Sequence, residues 1–132
     1  MRRVLPLNTD LALLLLRVVL GIVMIYHGWP KVINLGGIIE GFTGMGIPLP
    51  AVAAVFATVA EFGGGILILV GVLTDIAGLV FVVDMLGAIV FVHAKNGFSV
   101  GDNGIEFPLV LLTMALTVAL AGPGRFSAGG RT

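Results

Sequence analysis

Four long apolar stretches dominate this chain of 132 residues and limit how it can fold. They cover residues 11–27, 51–73, 76–94 and 105–121. Each approaches the roughly 20 apolar residues that an α-helix needs to cross about 30 Å of membrane hydrocarbon. Charged residues make up 11% of the chain, whereas an ordinary soluble domain contains roughly 25%. The sequence therefore predicts an all-α protein with one domain over 1–132, built as a bundle of four transmembrane helices.

The connections and the basic residues predict how the chain crosses the membrane. Segment 28–50 is glycine-rich and too polar to cross, so we expect a short helix there, either interfacial or re-entrant. Lysine and arginine concentrate on the cytoplasmic side of membrane proteins. One predicted face holds Arg2, Arg3, Arg125 and Arg131, and the opposite face holds Lys31 and Lys95. This distribution predicts that both ends face the cytoplasm (N-in, C-in). We also expect the protein to lie in the inner (cytoplasmic) membrane of a bacterium or archaeon.

Three charged residues interrupt the apolar stretches: Arg17, Glu61 and Asp84. A charge at the centre of a membrane helix costs about 3 kcal/mol, so such residues usually face the interior of a bundle. Small residues lie whole helical turns away from each of them, and small residues mark helix contacts in membranes. We therefore predict an Arg17–Glu61–Asp84 cluster in which one carboxyl group is neutral or shares a proton. The cluster either fixes the register of the helices or handles protons or a quinone head group.

A second polar group is predicted at the outer ends of the helices. Its members are His27, Lys31, His93, Lys95 and Glu106. The histidines are expected to cap helix ends, and no metal site is predicted from two histidines. The lysines are interface anchors or contacts for an anionic substrate. Glu106 follows Asn103 by three residues, which resembles a capping box.

The overall composition excludes several kinds of function. The net charge is zero and no basic stripe occurs, so no nucleic-acid partner is expected. The absence of cysteine excludes disulfides and thiolate chemistry within the chain. The predicted surroundings are therefore the lipid bilayer and, for any redox role, a partner protein.

Short motifs occur along the chain in a fixed order. After the arginine of the first span come HGxxK at 27–31, EFGGG at 61–65, LVGxxT at 69–74, NGF at 96–98, EFPL at 106–109 and GPGRFS at 122–127. In this order and spacing the chain resembles the DoxX-like family of small four-helix membrane proteins over essentially its whole length. The family usually continues with Leu-Asp after the serine, whereas this chain continues with Ala128-Gly129.

The resemblance implies a membrane subunit of an oxidoreductase system, because the family includes part of a thiosulfate:quinone oxidoreductase. The first hypothesis is a redox-complex subunit that binds quinone, without a covalent cofactor, and passes protons through the buried cluster. Electrons would arrive from a redox partner protein, since the chain has no complete catalytic set of its own. The alternatives are a small-solute binding or transport protein and an assembly factor for other membrane proteins. Self-association is left open.

Overall fold

The computed structural model describes residues 2–130, so Arg131, one of the predicted cytoplasmic charges, lies outside the described part. Helix α1 covers Thr9–Ile33 and α2 covers Leu35–Gly44. The long helices α3 and α4 cover Pro50–Val70 and Thr74–Asn96, and α5 covers Glu106–Ala121. Within residues 2–130 every regular element is helical, which confirms the all-α prediction.

Three of the helices are long and apolar enough to cross a membrane. These are α1 with 25 residues, α3 with 21 and α4 with 23. Helix α5 has 16 residues, and at about 1.5 Å per residue it extends about 24 Å, less than the hydrocarbon thickness of about 30 Å. The membrane assignment is therefore confirmed, whereas the fourth crossing and the N-in orientation stay predictions.

Helix α1 is longer than the first predicted span because it continues through Pro30. The side chain of Asn8 caps its start by accepting a hydrogen bond from the Leu11 N–H at 3.0 Å. Asn34 separates α1 from α2 and caps α2 through the Gly37 N–H at 3.2 Å. Lys31 therefore lies in the last turn of α1.

Glycines set the distance between neighbouring helices. A Cβ atom on Gly21 would lie 2.9 Å from Cβ of Leu69, and one on Gly28 would lie 2.5 Å from the backbone nitrogen of Phe62. Helices α1 and α3 therefore run antiparallel in direct contact. Close approach through small residues is how membrane helices associate, because lipid already surrounds their apolar side chains.

The packed core lies between α1, α3, α4 and α5. Its largest fully buried apolar side chains belong to Leu20, Met24, Ile68, Phe81 and Val118. Extensive apolar surface remains exposed around this core, as a lipid-facing bundle requires.

The N-terminal region and the C-terminal tail meet at one end of the bundle. An oxygen of the Asp10 carboxylate accepts a hydrogen bond from the Arg125 N–H at 2.9 Å. The opposite end holds α2, the start of α3 and the end of α4, and the candidate site lies there.

Candidate functional site

A cavity of about 550 Å³ opens between the C-terminal halves of α1 and α4, the first half of α3, the start of α5 and the α2–α3 connection. Ligand sites in proteins commonly measure roughly 300–1,000 Å³ and combine an apolar wall with a few polar groups. The wall here is mainly aliphatic and aromatic. The polar and titratable side chains that line the cavity are His27, Lys31, Glu61, Asp84, His93 and Asn103.

An ion pair between Lys31 and Glu61 forms the centre of the polar part. The Lys31 ammonium lies 2.8 Å from Oε1 of Glu61, and the two side chains are 18% and 7% exposed. The ammonium also donates to the carbonyl oxygen of His27 at 3.1 Å. Because an ammonium group has three N–H donors, one donor remains for a ligand oxygen.

Asp84 approaches this pair from α4. Its carboxyl group lies next to that of Glu61, within reach of a side-chain hydrogen bond, and also within electrostatic range of Lys31. Its Oδ2 atom is buried, and within residues 2–130 no N–H or O–H donor reaches it. Two carboxyl groups can bond to each other only if one of them carries a proton.

Two π-helical turns border the cavity. The turn Val59–Gly63 in α3 contains Glu61, and the turn Ile89–His93 in α4 contributes three lining residues, Phe91, Val92 and His93. A π turn inserts one extra residue into an α-helix and is frequent at functional sites. Both long helices therefore depart from regular α geometry where they enclose the cavity.

The two histidines line the cavity on helices α1 and α4. The His27 ring packs against the rings of Tyr26 and Phe107, each with a centroid distance of 5.7 Å. Nδ1 of His93 is 2.8 Å from the carbonyl oxygen of Asn103. In the described part of the chain, no group of three histidine or acidic side chains is arranged to hold a metal ion.

The other two members of the predicted outer group lie outside the cavity lining. Lys95 is exposed near the end of α4. Glu106 accepts a hydrogen bond from the Val100 N–H at 2.8 Å and thereby fixes the loop before α5. The capping box suggested by Asn103 is absent, because Asn103 adopts a left-handed conformation and Ile105 is the residue before the helix.

Arg17 does not join the carboxylates, which corrects the predicted Arg17–Glu61–Asp84 cluster. The Arg17 side chain is 1% exposed, and its hydrogen bonds go to four backbone carbonyls. Nε donates to Ile68 at 3.0 Å and Nη2 to Leu69 at 3.1 Å. Nη1 donates to Pro123 and to Phe126, both at 2.8 Å.

This arrangement supplies hydrogen-bond donors to carbonyl groups at the end of α3. Such donors are needed because the last carbonyls of a helix have no partner within the helix. The Leu67 carbonyl accepts from Gly71, and the Val70 carbonyl accepts from Ala128. Arg17 donates hydrogen bonds to the two carbonyls between them, those of Ile68 and Leu69. Arg17 therefore joins α1, the end of α3 and the C-terminal tail, and it lies at the opposite end of the α1–α3 contact from Glu61.

Lys31 takes the place that Arg17 was predicted to occupy. The sequence placed Lys31 beyond the end of the first span, whereas α1 continues for six residues past His27. Lys31 and His27 are four residues apart and thus on one helix face. The sequence analysis grouped Lys31 with His27 but did not pair it with Glu61, because segment 28–50 was treated as a connection.

The comparisons with known proteins agree with the resemblance seen in the sequence. A model of the DoxX family matches residues 12–94. A Bacillus subtilis protein named "Putative oxidoreductase CatD" is 35% identical over 113 residues, covering 86% of this chain and 81% of its own length. The Escherichia coli inner membrane proteins YphA and YqjF are 32% and 33% identical, with 87% and 89% of this chain covered and 86% and 89% of their own lengths. No solved structure matches the chain.

Proposed function

This chain belongs to the DoxX family of membrane proteins, and on that premise we propose that it is a membrane subunit of a redox complex whose cavity binds a quinone. The inner membrane names of two relatives support the same membrane for this chain. The name of the Bacillus subtilis relative supports a redox context. The observation that carries the proposal is the mainly apolar cavity with Lys31, Glu61 and Asp84 in its wall.

The chemistry of these residues suits a quinone. A bound quinone supplies a centre that takes up two electrons together with two protons. The remaining donor of Lys31 can bind a carbonyl oxygen of the head group, because an ammonium–oxygen bond is charge-assisted. The aromatic and aliphatic wall can hold the ring and the start of an apolar tail while excluding water.

The acidic residues can hold and deliver protons within the cavity. Glu61 forms an ion pair with Lys31 at 2.8 Å, and the neighbouring Asp84 carboxyl can share a proton with Glu61. The proposed complex receives its electrons from a partner protein, since this chain offers no cysteine and its acidic and basic side chains move protons only.

Binding of a short-chain ubiquinone or menaquinone analogue to the purified protein tests the proposal. We expect measurable binding to the wild type and at least tenfold weaker binding to Lys31→Met, equivalent to about 1.4 kcal/mol. Glu40→Gln is the control, because Glu40 is an exposed acid on α2 outside the cavity lining. Binding that is equal in wild type, Lys31→Met and Glu40→Gln would place any quinone elsewhere.

Two further experiments distinguish the alternative hypotheses, a small-solute transporter and an assembly factor. A small-solute transporter would accumulate its solute in sealed vesicles that contain only this protein. An assembly factor would bind no quinone and move no solute, but its deletion would deplete another membrane protein. The mainly apolar wall of the cavity favours an amphiphilic ligand over a small polar solute.

A further inference from the structure

We propose that Lys31, Glu61 and Asp84 form a proton-binding site that holds one exchangeable proton, carried by the Asp84 carboxyl and donated to Glu61. The proposal concerns the protein's own residues and does not rest on which ligand enters the cavity. It assigns a separate role to each of the three side chains.

Lys31 fixes the charge on Glu61. The ammonium–carboxylate distance of 2.8 Å is that of a charge-assisted hydrogen bond. The Glu61 side chain is only 7% exposed, so removing its counter-charge would leave an isolated ion in an apolar wall. Glu61 is therefore the ionised member of the carboxyl pair.

The charge balance and the local geometry both assign the proton to Asp84. If both acids were ionised, the site would hold two negative charges against one positive charge in surroundings of low dielectric constant. The buried Oδ2 atom of Asp84 receives no hydrogen bond from any donor in residues 2–130. A hydroxyl group on Asp84 would instead donate, and the neighbouring Glu61 carboxylate is an acceptor within range.

Within residues 2–130, Lys31 is the only lysine or arginine that lines the cavity. Helix α1 contributes His27 and Lys31, α3 contributes Glu61, and α4 contributes Asp84 and His93. On α5, the Glu106 carboxylate accepts a hydrogen bond from the Val100 N–H. Nδ1 of His93 forms a hydrogen bond with the carbonyl oxygen of Asn103. With Lys31 and Glu61 ionised as a pair, a proton on Asp84 leaves the three side chains with no net charge.

The cavity gives this proton a route to a ligand or to solvent. Both carboxyl residues line it, and so do the two histidines. Loss of the proton would leave a net charge of −1 in the cavity wall. A ligand bound in the cavity can take up this proton. A cation that then replaces the proton would be favoured by the remaining negative charge.

Infrared spectroscopy of the full chain in lipid nanodiscs, stripped of quinone, tests the site directly. At neutral pH we expect a C=O stretching band of a protonated carboxylic acid in the wild type. Asp84→Asn should remove the band, and Asp84→Glu should shift it without removing it. The matched control is Asp102→Asn, since Asp102 is an exposed acid in the loop before α5, and it should leave the band unchanged.

Two further variants distinguish a proton site from a merely structural cluster. Glu61→Gln should also abolish the band, because Lys31 then pairs with Asp84 and ionises it. Lys31→Met should increase the band about twofold, because neither carboxyl group retains a counter-charge. Absence of the band in the wild type, or its survival in Asp84→Asn, would overturn the proposal. Because no quinone is present, a failure here is distinct from a failure of quinone binding.

Discussion

Replacing Arg17 with methionine should destabilise the protein strongly while leaving the cavity residues in place. The change removes four hydrogen bonds, to the carbonyls of Ile68, Leu69, Pro123 and Phe126. Side-chain hydrogen bonds between membrane helices average about 0.6 kcal/mol each, which gives a lower bound near 2 kcal/mol for the four. Leaving these four acceptors unpaired, two of them buried and two partly buried, at about 1 kcal/mol each raises the expected loss to about 4 kcal/mol.

The free energy of unfolding should be measured by reversible denaturant titration in mixed micelles. Arg125→Met is the matched control, because Arg125 is exposed and its guanidinium lies over the Phe126 ring at 5.4 Å. We expect the control to cost less than about 1 kcal/mol. Limited proteolysis should also cleave the C-terminal tail of Arg17→Met faster than that of the control.

A double-mutant cycle between Arg17 and Glu61 distinguishes the observed arrangement from the cluster predicted by the sequence. Since Arg17 bonds to carbonyls and Glu61 bonds to Lys31, the effects of Arg17→Met and Glu61→Gln should add within about 0.5 kcal/mol. A coupling energy above about 1 kcal/mol, or a cost of Arg17→Met no larger than that of the Arg125 control, would refute the assignment of Arg17.

Two further predictions concern the ion pair and the glycine contacts. Lys31→Met should cost about 3–5 kcal/mol, because the buried Glu61 carboxylate loses its counter-charge and must take up a proton, and adding Glu61→Gln should recover part of that loss in the same titration. Full additivity would mean that the two side chains do not interact. Gly28→Ala should be destabilising because its Cβ would lie 2.5 Å from the backbone of Phe62, whereas Gly36 has open space. Gly36→Ala should stabilise the protein by about 0.5–1 kcal/mol through helix propensity, and equal effects of the two changes would contradict the close contact.

The apolar stretches predicted the helices well, because hydrocarbon thickness and backbone hydrogen bonding leave few alternatives for such a sequence. Three of the predicted spans correspond to α1, α3 and α4, and the fourth coincides with the shorter α5. The boundaries were less accurate at Pro30, which the helix accommodates in its last turn.

The partners of the buried charges could be predicted only in part. Arg17 and Glu61 are buried within the bundle, as the sequence predicted, and Asp84 lies beside Glu61. The sequence could not show that Arg17 would bind backbone carbonyls, because those carbonyls become available only when α3 ends and the tail folds back. The functional roles assigned to these residues stay predictions.

Photolabelling with an azido-quinone in native-like lipid tests the central claim, that the cavity is a quinone site. The account predicts covalent labels, mapped by mass spectrometry, on buried lining residues such as Met24, Ala57 and Phe81, which excess unlabelled quinone suppresses. Lys31→Met should reduce these labels, and Glu40→Gln should not. Labels that are confined to lipid-facing residues such as Leu15 and Leu120, and that unlabelled quinone does not suppress, would contradict the assignment of the cavity as a quinone site.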